Sequence, residues 1–263
     1  MHLVAIHGHP LDRRLFSPLV DAAARGELAR ISSVFAPDLR GRGTSKRPAA
    51  AVHTMSLLAD DLAEEIGSAM PRDEPFVLAG LSMGGYVAFE FLRRHAERFR
   101  KRIAGLALLD TRASPDDEPG REKRREAIDA IRKSGISAAL AAMLPKLLAR
   151  ASKGGAAEKT TREMILATPP ETAMADLAGM AVRNDAFDVL AAFDRPVLIA
   201  VGEEDVITPV SDAEAMAEAA ARASYVRLLT IPGAGHLTPL ENPEEVVRGL
   251  AALSVRSTSP SPR

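Results

Sequence analysis

The sequence predicts an α/β protein built on a mostly parallel sheet of about six strands. Short apolar segments bounded by turn residues alternate with segments of helical periodicity, which is the pattern of strands joined by covering helices. Most of the apolar segments are nearly continuous in hydrophobic residues, as expected of strands that are buried on both faces. With 263 residues, of which 46% are hydrophobic and 26% charged, the chain is long enough for one large domain of this class.

Six segments of the chain are predicted to form the strands. Turn residues bound these segments, and a proline stands immediately before two of them, where a missing N–H group is tolerated. The predicted strands are His2–His7, Ile31–Ala36, Phe76–Leu81, Ile103–Leu109, Val197–Val201 and Tyr225–Ile231.

Four helices are predicted between or after these strands. Thr54 is expected to be the N-cap of a helix that runs to about Met70, because apolar residues recur after it at helical spacing. A second helix should follow Ser82, a third should follow Pro209, and a last should begin near Pro243. Proline at the first helical position suits the last two, since its missing N–H would have no partner there.

Residues 113–190 interrupt this alternation with Ala, Leu and Arg and with no clear strand. We interpret them as a helical cap inserted into a core formed by residues 1–112 and 191–253, lying over one end of the sheet. The charged run 121–126 is interpreted as a solvated helix face rather than an anion site. Residues 254–263, rich in Ser, Pro and Arg, are expected to be a flexible tail.

The composition excludes several classes of protein. The chain has no cysteine, which rules out disulfides, thiolate catalysis and cysteine-ligated metals. Its net charge of −1 gives no basic face for nucleic acid, and no apolar run approaches the roughly 18 residues that cross a bilayer. We therefore expect a cytoplasmic protein with no nucleic-acid or membrane partner. The oligomeric state cannot be predicted from these data.

The segment Gly80-Leu81-Ser82-Met83-Gly84 fits the pattern G-x-S-x-G and lies between a predicted strand and a predicted helix. A serine hydroxyl is a weak nucleophile that needs a base and an exposed, rigid position. A sharp turn from strand to helix supplies that position, and the glycines relieve crowding where the two backbones approach. The alternative is a glycine-rich packing turn with a solvent-facing serine. The setting between strand and helix favours Ser82 as a nucleophile.

A base and a carboxylate follow at the ends of later predicted strands. His236 lies in the loop after the last strand, and Asp205 lies just beyond the strand before it. A histidine with a pKa near 6.5 can accept and return a proton near neutral pH. A buried carboxylate would hold the required imidazole tautomer and stabilise the imidazolium. The sequence therefore predicts Ser82, His236 and Asp205 as catalytic residues.

Asp110 is the alternative acid, because it ends the strand that follows the nucleophile strand. If Asp110 has only a structural role, we expect it to form an ion pair with Arg112 at the base of the cap. We favour Asp205, since the turn from Gly202 to Pro209 resembles the loop that usually carries the acid residue.

The transition state also requires donors for its oxyanion, and two backbone N–H groups are predicted to provide them. One belongs to Met83, directly after the nucleophile, and the other to His9, in the loop after the first strand. His7 and His9 could suggest a metal pair, but no third ligand is evident, so no metal or other cofactor is expected. Asp38 and Arg40 are interpreted as residues that hold a loop beside the site. Structural or surface roles are expected for His2, His53 and His95.

Together these segments resemble the α/β-hydrolase superfamily over nearly the whole chain. The resemblance rests on His7-Gly8-His9-Pro10, the segment from Asp38 to Ser45, the Ser82 turn, the Asp205 turn and the His236 loop. Within the superfamily, the chain is similar to small capped esterases, to 3-oxoadipate enol-lactonases and to cofactor-free haloperoxidases. The order nucleophile, acid, base along the chain is the order of that superfamily.

Two departures from the family pattern affect what the resemblance implies. The chain enters its first strand almost directly, so the antiparallel N-terminal hairpin of many members should be missing. Ser82 stands where haloalkane dehalogenases and epoxide hydrolases of this fold carry aspartate, so both activities are disfavoured.

The resemblance implies a serine hydrolase that cleaves a small-molecule carboxylic ester or lactone through an acyl-enzyme. The alternatives are haloperoxidase-like perhydrolysis by the same residues, a C–C hydrolase or lyase of the fold, and a non-catalytic ligand-binding protein. Aliphatic cap residues are candidates for the pocket wall, although most should pack the cap onto the core. These candidates are Met143, Leu144, Leu147, Met164, Met174 and Met180.

Overall fold

The computed structural model describes residues 1–257 and contains a single sheet of six strands. The strands are β1 His2–Ile6, β2 Ser33–Phe35, β3 Phe76–Leu81, β4 Ile103–Leu109, β5 Val197–Gly202 and β6 Val226–Ile231. They lie in the order β2-β1-β3-β4-β5-β6, and every neighbouring pair is parallel. The predicted α/β class and the six-stranded parallel sheet are therefore confirmed, with no antiparallel pair among the described strands.

Most strand boundaries agree with the sequence prediction, and β3 and β4 agree at both ends. The second strand is the exception, because it has three residues where six were predicted. Ile31 donates its N–H to Leu28 in a turn, and pairing with β1 covers only Ser33 to Phe35. Pairing with the neighbouring strand thus sets the length of this edge strand.

Eleven α-helices are present in residues 1–257, together with two short 3₁₀ segments at Arg13–Phe16 and Arg150–Ser152. The helices before β5 are α1 Ser17–Ala24, α2 Met55–Ala69, α3 Met83–Phe99, α4 Glu118–Ser134, α5 Ile136–Leu147, α6 Ala156–Ala167, α7 Pro170–Ala181 and α8 Phe187–Ala192. Those after β5 are α9 Val210–Ala219, α10 Thr238–Glu241 and α11 Pro243–Arg256.

The sheet separates two hydrophobic cores, and the alternation of side chains along β1 shows how. Val4 and Ile6 point into one core, with α2, α3, α8 and α9, whereas Leu3 and Ala5 point into the other, with α1 and α11. All residues of β3 and β5 are buried, as parallel strands covered on both faces require. This arrangement leaves the strand ends as the place where loops can form a site.

The helix starts largely follow the predicted capping. The Thr54 hydroxyl accepts the Leu57 N–H at 3.1 Å at the start of α2. Pro243 occupies the first position of α11, whereas Pro209 is the N-cap of α9, one residue earlier than predicted.

Residues 113–190, which are predicted to be an inserted cap and are called the insertion below, hold α4 to α7 and the beginning of α8. The predicted boundary at residue 190 falls inside α8, which contacts α3 and α9 beside the sheet. The prediction of a flexible tail from residue 254 does not fit residues 254–256, which are helical. Helix α11 continues through Arg256, and the buried Ser254 hydroxyl donates to the Ala251 carbonyl at 2.8 Å. The rest of that prediction, residues 258–263, lies outside the described part of the chain.

Candidate active site

Ser82 occupies a sharp turn between β3 and α3. Its backbone has φ +53° and ψ −118°, which is rare for a residue with a side chain and marks local strain at this position. Space for the turn depends on two glycines. A Cβ on Gly80 would lie 2.3 Å from the Gly84 carbonyl oxygen, and one on Gly84 would lie 2.0 Å from that of Ile6. The predicted setting of the G-x-S-x-G segment between strand and helix is confirmed.

Three residues predicted as catalytic form one hydrogen-bonded chain. The Ser82 Oγ lies 2.8 Å from His236 Nε2, and His236 Nδ1 lies 2.8 Å from Asp205 Oδ2. Because a carboxylate can only accept, Nδ1 carries the proton and Nε2 offers its lone pair to the Ser82 hydroxyl. This is the tautomer that a general base for Ser82 needs.

The Asp205 carboxylate is held by the turn that follows it. Oδ1 accepts the N–H groups of Ile207 and Thr208 at 2.8 and 3.0 Å, and Oδ2 accepts the Thr208 hydroxyl at 2.7 Å. Sequence analysis did not single out Thr208, although its position three residues after an aspartate in a turn is a local signal for such bonds. The carboxylate is thereby aimed at His236.

Burial and the partner's charge shift the pKa values of His236 and Asp205 in opposite directions. Burial alone would lower the pKa of His236, but the charge and hydrogen bond of Asp205 outweigh it and raise that pKa above its usual 6.5. For Asp205 burial would raise the pKa, and the charge and hydrogen bond of His236, with the bonds from Thr208, outweigh it and lower that pKa. The pair is therefore suited to holding a proton on His236 while Asp205 stays ionised.

Glu241, which sequence analysis missed, holds the His236 loop on both sides of the histidine. Its Oε1 accepts the N–H groups of Gly235 and Leu237, both at 3.0 Å. Its Oε2 accepts the Ala149 N–H, at 2.7 Å, from the insertion. The N–H of His236 itself donates to the insertion carbonyl of Leu147 at 2.9 Å. The insertion and the histidine loop are thus joined directly.

Asp110, the alternative acid, is fully buried and makes no hydrogen bond to His236 among the described contacts. It accepts the Gly202 N–H at 3.0 Å, the Thr238 N–H at 3.0 Å and the Thr238 hydroxyl at 2.7 Å. The interpretation of Asp110 as an ion-pair partner of Arg112 is wrong, since Arg112 pairs with Asp212 at 3.1 Å. Burial and the nearby charge of Asp205 raise the pKa of Asp110 to about 7.

The two predicted oxyanion donors belong to segments next to the nucleophile. Met83 follows Ser82 directly, and the loop of His9 reaches the serine through Gly8, where an added Cβ would be 3.1 Å from the Ser82 Cβ. Among residues 1–257, neither the His9 nor the Met83 N–H donates a backbone hydrogen bond. Their role as oxyanion donors stays a prediction.

The loop beside the site is braced by the residues predicted to hold it. Asp38 accepts the N–H groups of Arg13 and Thr44 at 2.9 and 2.7 Å, and Arg40 forms two bonds to Asp61 at 2.6 and 2.8 Å. These contacts fix the chain that follows β2.

The other histidines have protein partners. His7 Nε2 accepts the Leu39 N–H at 3.0 Å, and burial lowers the pKa of His7 to about 4. His2 bonds to Ser33 and His95 bonds to Asp60, whereas His53 is fully buried against Asp176.

Residues 1–257 hold no group of three or more His, Cys, Asp or Glu placed to bind a metal ion. No helix in the same range is long and apolar enough to span a membrane.

Comparison with known proteins identifies the family. The model of the alpha/beta hydrolase family matches residues 3–249 of this chain. The chain belongs to that family. The resemblance inferred from the loops and the Ser82 turn is thereby confirmed.

Named relatives of this α/β-hydrolase include esterases. A pimeloyl-[acyl-carrier protein] methyl ester esterase from Xanthomonas campestris pv. campestris is 29% identical over 259 residues, which cover 94% of this chain and 92% of the relative. The structure of a thermophilic esterase from Thermogutta terrifontis, solved with malate bound, is 38% identical with a TM-score of 0.83 and covers 98% of this chain and 91% of that one. An enol-lactonase from Burkholderia xenovorans LB400 has a TM-score of 0.81 at 19% identity, covering 97% and 92% of the two chains, which shows the shared fold alone.

Proposed function

We propose that this α/β-hydrolase cleaves a small-molecule carboxylic ester or lactone through an acyl-enzyme. The observation that carries the proposal is the continuous chain from Ser82 Oγ through His236 to Asp205, with 2.8 Å at each step. Nucleophile, base and orienting carboxylate are the parts that acyl transfer requires. The esterases among its relatives support this reaction class.

In the first half of the reaction, Ser82 Oγ attacks the substrate carbonyl carbon while His236 Nε2 takes the hydroxyl proton. The carbonyl oxygen becomes an oxyanion, which the backbone N–H groups of His9 and Met83 stabilise. Asp205 remains ionised and stabilises the imidazolium. The intermediate then collapses, the bond from carbon to the leaving oxygen breaks, and His236 returns the proton to the departing alcohol.

In the second half, a water molecule replaces the alcohol. His236 Nε2 takes a proton from the water as its oxygen attacks the acyl carbon, and the same two N–H groups hold the second oxyanion. Collapse of this intermediate releases the carboxylic acid and returns the proton to Ser82. A lactone differs only in that its alcohol stays attached to the acid.

The aliphatic residues of the insertion favour an apolar acyl or alcohol part. Leu147, Met164 and Met180 are buried in the hydrophobic cores, so they are expected to serve packing first. The remaining candidates for a pocket wall are half-buried: Met143, Leu144 and Met174.

Active-site labelling combined with substrate turnover tests the proposal. Intact-protein mass spectrometry should show one equivalent of a fluorophosphonate bound to the wild type and to Ser68→Ala, and none bound to Ser82→Ala. Ser68 is a suitable control because it is an exposed serine of α2 whose hydroxyl donates to the Glu65 carbonyl at 3.1 Å and makes no contact with the Ser82, His236 and Asp205 chain among the described bonds. A panel of esters and lactones of graded chain length should identify a preferred substrate. A wild-type protein that neither takes the label nor turns over any member of the panel would instead be a ligand-binding protein.

A further inference from the structure

Asp176 is a fully buried carboxylate in helix α7 of the insertion, and no step of the proposed reaction uses it. Its Oδ1 lies 2.7 Å from His53 Nδ1, and its Oδ2 lies 3.0 Å from His9 Nδ1. The same Oδ2 accepts the guanidinium of Arg42, which is also buried. These three partners precede α2, follow β1 and follow β2, respectively. One side chain of the insertion thus binds the loop after β1 and two points of the connection between β2 and α2.

The protonation of this cluster follows from its contacts. Burial would raise the pKa of Asp176, but the charge of Arg42 and the bonds from His53 and His9 outweigh it and hold that pKa far below its usual range. His53 Nε2 accepts the Ala50 N–H at 3.1 Å, so its proton is on Nδ1. Burial lowers the pKa of His9, whose Nε2 has no hydrogen-bond partner among the described residues. Asp176 therefore forms one ion pair and accepts from two neutral histidines.

Contacts from the insertion and from Arg42 hold the His9 loop. The His9 ring bonds to Asp176, the Pro10 carbonyl accepts the Thr168 hydroxyl at 2.9 Å, and the Leu11 carbonyl accepts Arg42 at 3.1 Å. Among the described backbone hydrogen bonds, residues 8–11 share one, in which the Leu11 N–H donates to the Gly8 carbonyl at 3.0 Å. Side-chain bonds from Asp176, Thr168 and Arg42, more than backbone bonds within the loop, therefore hold it in place.

We propose that Asp176 is a positioning residue that holds the His9 N–H in place for the oxyanion. This inference rests on the proposed function, in which that N–H is one of two donors. An oxyanion donor is effective only when it lies about 2.7–3.1 Å from the position that the oxygen occupies in the transition state. A small displacement of the loop therefore weakens transition-state binding while leaving the binding of the ground-state ester largely unchanged.

The first test replaces Asp176 by asparagine, which keeps the shape and removes the charge. Asp176→Asn should lower kcat roughly 10- to 100-fold, somewhat less than the loss of a whole oxyanion donor, with KM within about twofold. Binding of an aryl trifluoromethyl ketone, whose serine adduct carries an oxyanion, should weaken by a similar factor. The matched control is Asp188→Asn, an aspartate of the insertion whose side chain is 65% exposed and paired with Arg93. It should change neither value appreciably.

A second pair of variants keeps the test decisive if Asp176→Asn does not fold. His9→Phe leaves the ion pair of Asp176 and Arg42 intact but removes the bond to the loop, and it should show the same loss of kcat. His9→Asn places an amide N–H near the position of Nδ1 and should retain more of kcat than His9→Phe. A folded His9→Phe with wild-type kcat and wild-type ketone binding would overturn the inference, as would a rise of KM alone in Asp176→Asn.

Hydrogen exchange supplies a measurement that is independent of activity. The amides of residues 8, 9, 11 and 12 should exchange faster in Asp176→Asn or His9→Phe than in the wild type, with no change around His236. Unchanged exchange in this loop would contradict the inference. If the wild type turns over no ester, the proposed function fails, whereas the exchange of the loop amides still shows whether Asp176 holds the His9 loop.

Discussion

Asp205 and Asp110 follow neighbouring strands of the sheet, yet their carboxylates bind different residues of the histidine loop. Asp205 accepts His236 Nδ1 at 2.8 Å, whereas Asp110 accepts the backbone and hydroxyl of Thr238, two residues further along. Asp110 also accepts the Gly202 N–H at the end of β5. One carboxylate orients His236, and the other fastens the loops of His236 and Asp205 to the sheet.

Asparagine at these two positions should therefore have different effects. Asp205→Asn can favour the wrong tautomer of His236, and a change of this kind cost about 10⁴-fold in kcat in a serine protease. Asp110→Asn presents its amide N–H to a buried donor, which should cost about 1–3 kcal/mol in the free energy of unfolding with a smaller loss of kcat. The measurements are kcat on one activated ester and urea unfolding of both variants. A larger loss of kcat in Asp110→Asn than in Asp205→Asn would move the acid to Asp110.

Removal of the Ser82 hydroxyl should abolish acyl-enzyme formation without unfolding the protein. Turnover by Ser82→Ala should fall by roughly 10³-fold or more, as losses of a nucleophile do in related mechanisms. The melting temperature should change little, since alanine keeps the Cβ and removes one hydroxyl. Steady-state kinetics against Ser68→Ala measures the effect. Hydrolysis near the wild-type rate in Ser82→Ala would exclude the serine mechanism.

The dependence of kcat/KM on pH should report the ionisation of His236. The imidazole must be neutral to accept the Ser82 proton, and Asp205 raises its pKa above 6.5 against the effect of burial. Activity should therefore fall as the pH drops through a midpoint above 6.5. In Asp205→Asn the carboxylate charge is gone, so the midpoint of the residual activity should move to lower pH. A wild-type midpoint below 6.5 would contradict the assigned environment of His236.

Loss of the Glu241 charge should loosen the joint between the histidine loop and the insertion. In Glu241→Gln the remaining carbonyl oxygen can still accept the N–H groups beside His236, but the amide N–H then faces the Ala149 donor. An unsatisfied donor of this kind costs about 1–3 kcal/mol. The free energy of unfolding, measured with urea, and kcat should both be lower in Glu241→Gln than in the control Glu218→Gln, which changes an exposed glutamate of α9. Equal stability of the two variants would show that the contact contributes little.

The turn at Ser82 should not tolerate a side chain at Gly80. Alanine there would place its Cβ 2.3 Å from the Gly84 carbonyl oxygen, and neither backbone can move without displacing β3 or α3. We expect Gly80→Ala to lose roughly 3 kcal/mol or more of stability, seen as insoluble expression or a lowered melting temperature. Gly155→Ala is the control, because its nearest atom would be 3.4 Å away, an ordinary contact. A Gly80→Ala protein as stable as the control would show that the turn can relax.

Local patterns in the sequence were sufficient for much of the sheet and for the turn that carries Ser82. β3 and β4 were predicted at both ends because continuous apolar runs between turn residues carry a strong local signal. The strand-to-helix turn at Ser82 could also be predicted locally, since the two glycines and the serine lie within five residues.

The tertiary structure decided what depends on residues far apart in the chain. β2 is shorter than predicted because its pairing with β1, not its composition, sets its length. Whether Asp205 or Asp110 faces His236 depends on how loops meet at the carboxyl end of the sheet, and the strands that they follow are neighbours. Asp176 lies 167 residues from its partner His9, and Glu241 lies 92 residues from Ala149. A hydrogen bond over such separations leaves no periodicity or spacing in the sequence, because its geometry exists only once the sheet has brought the loops together.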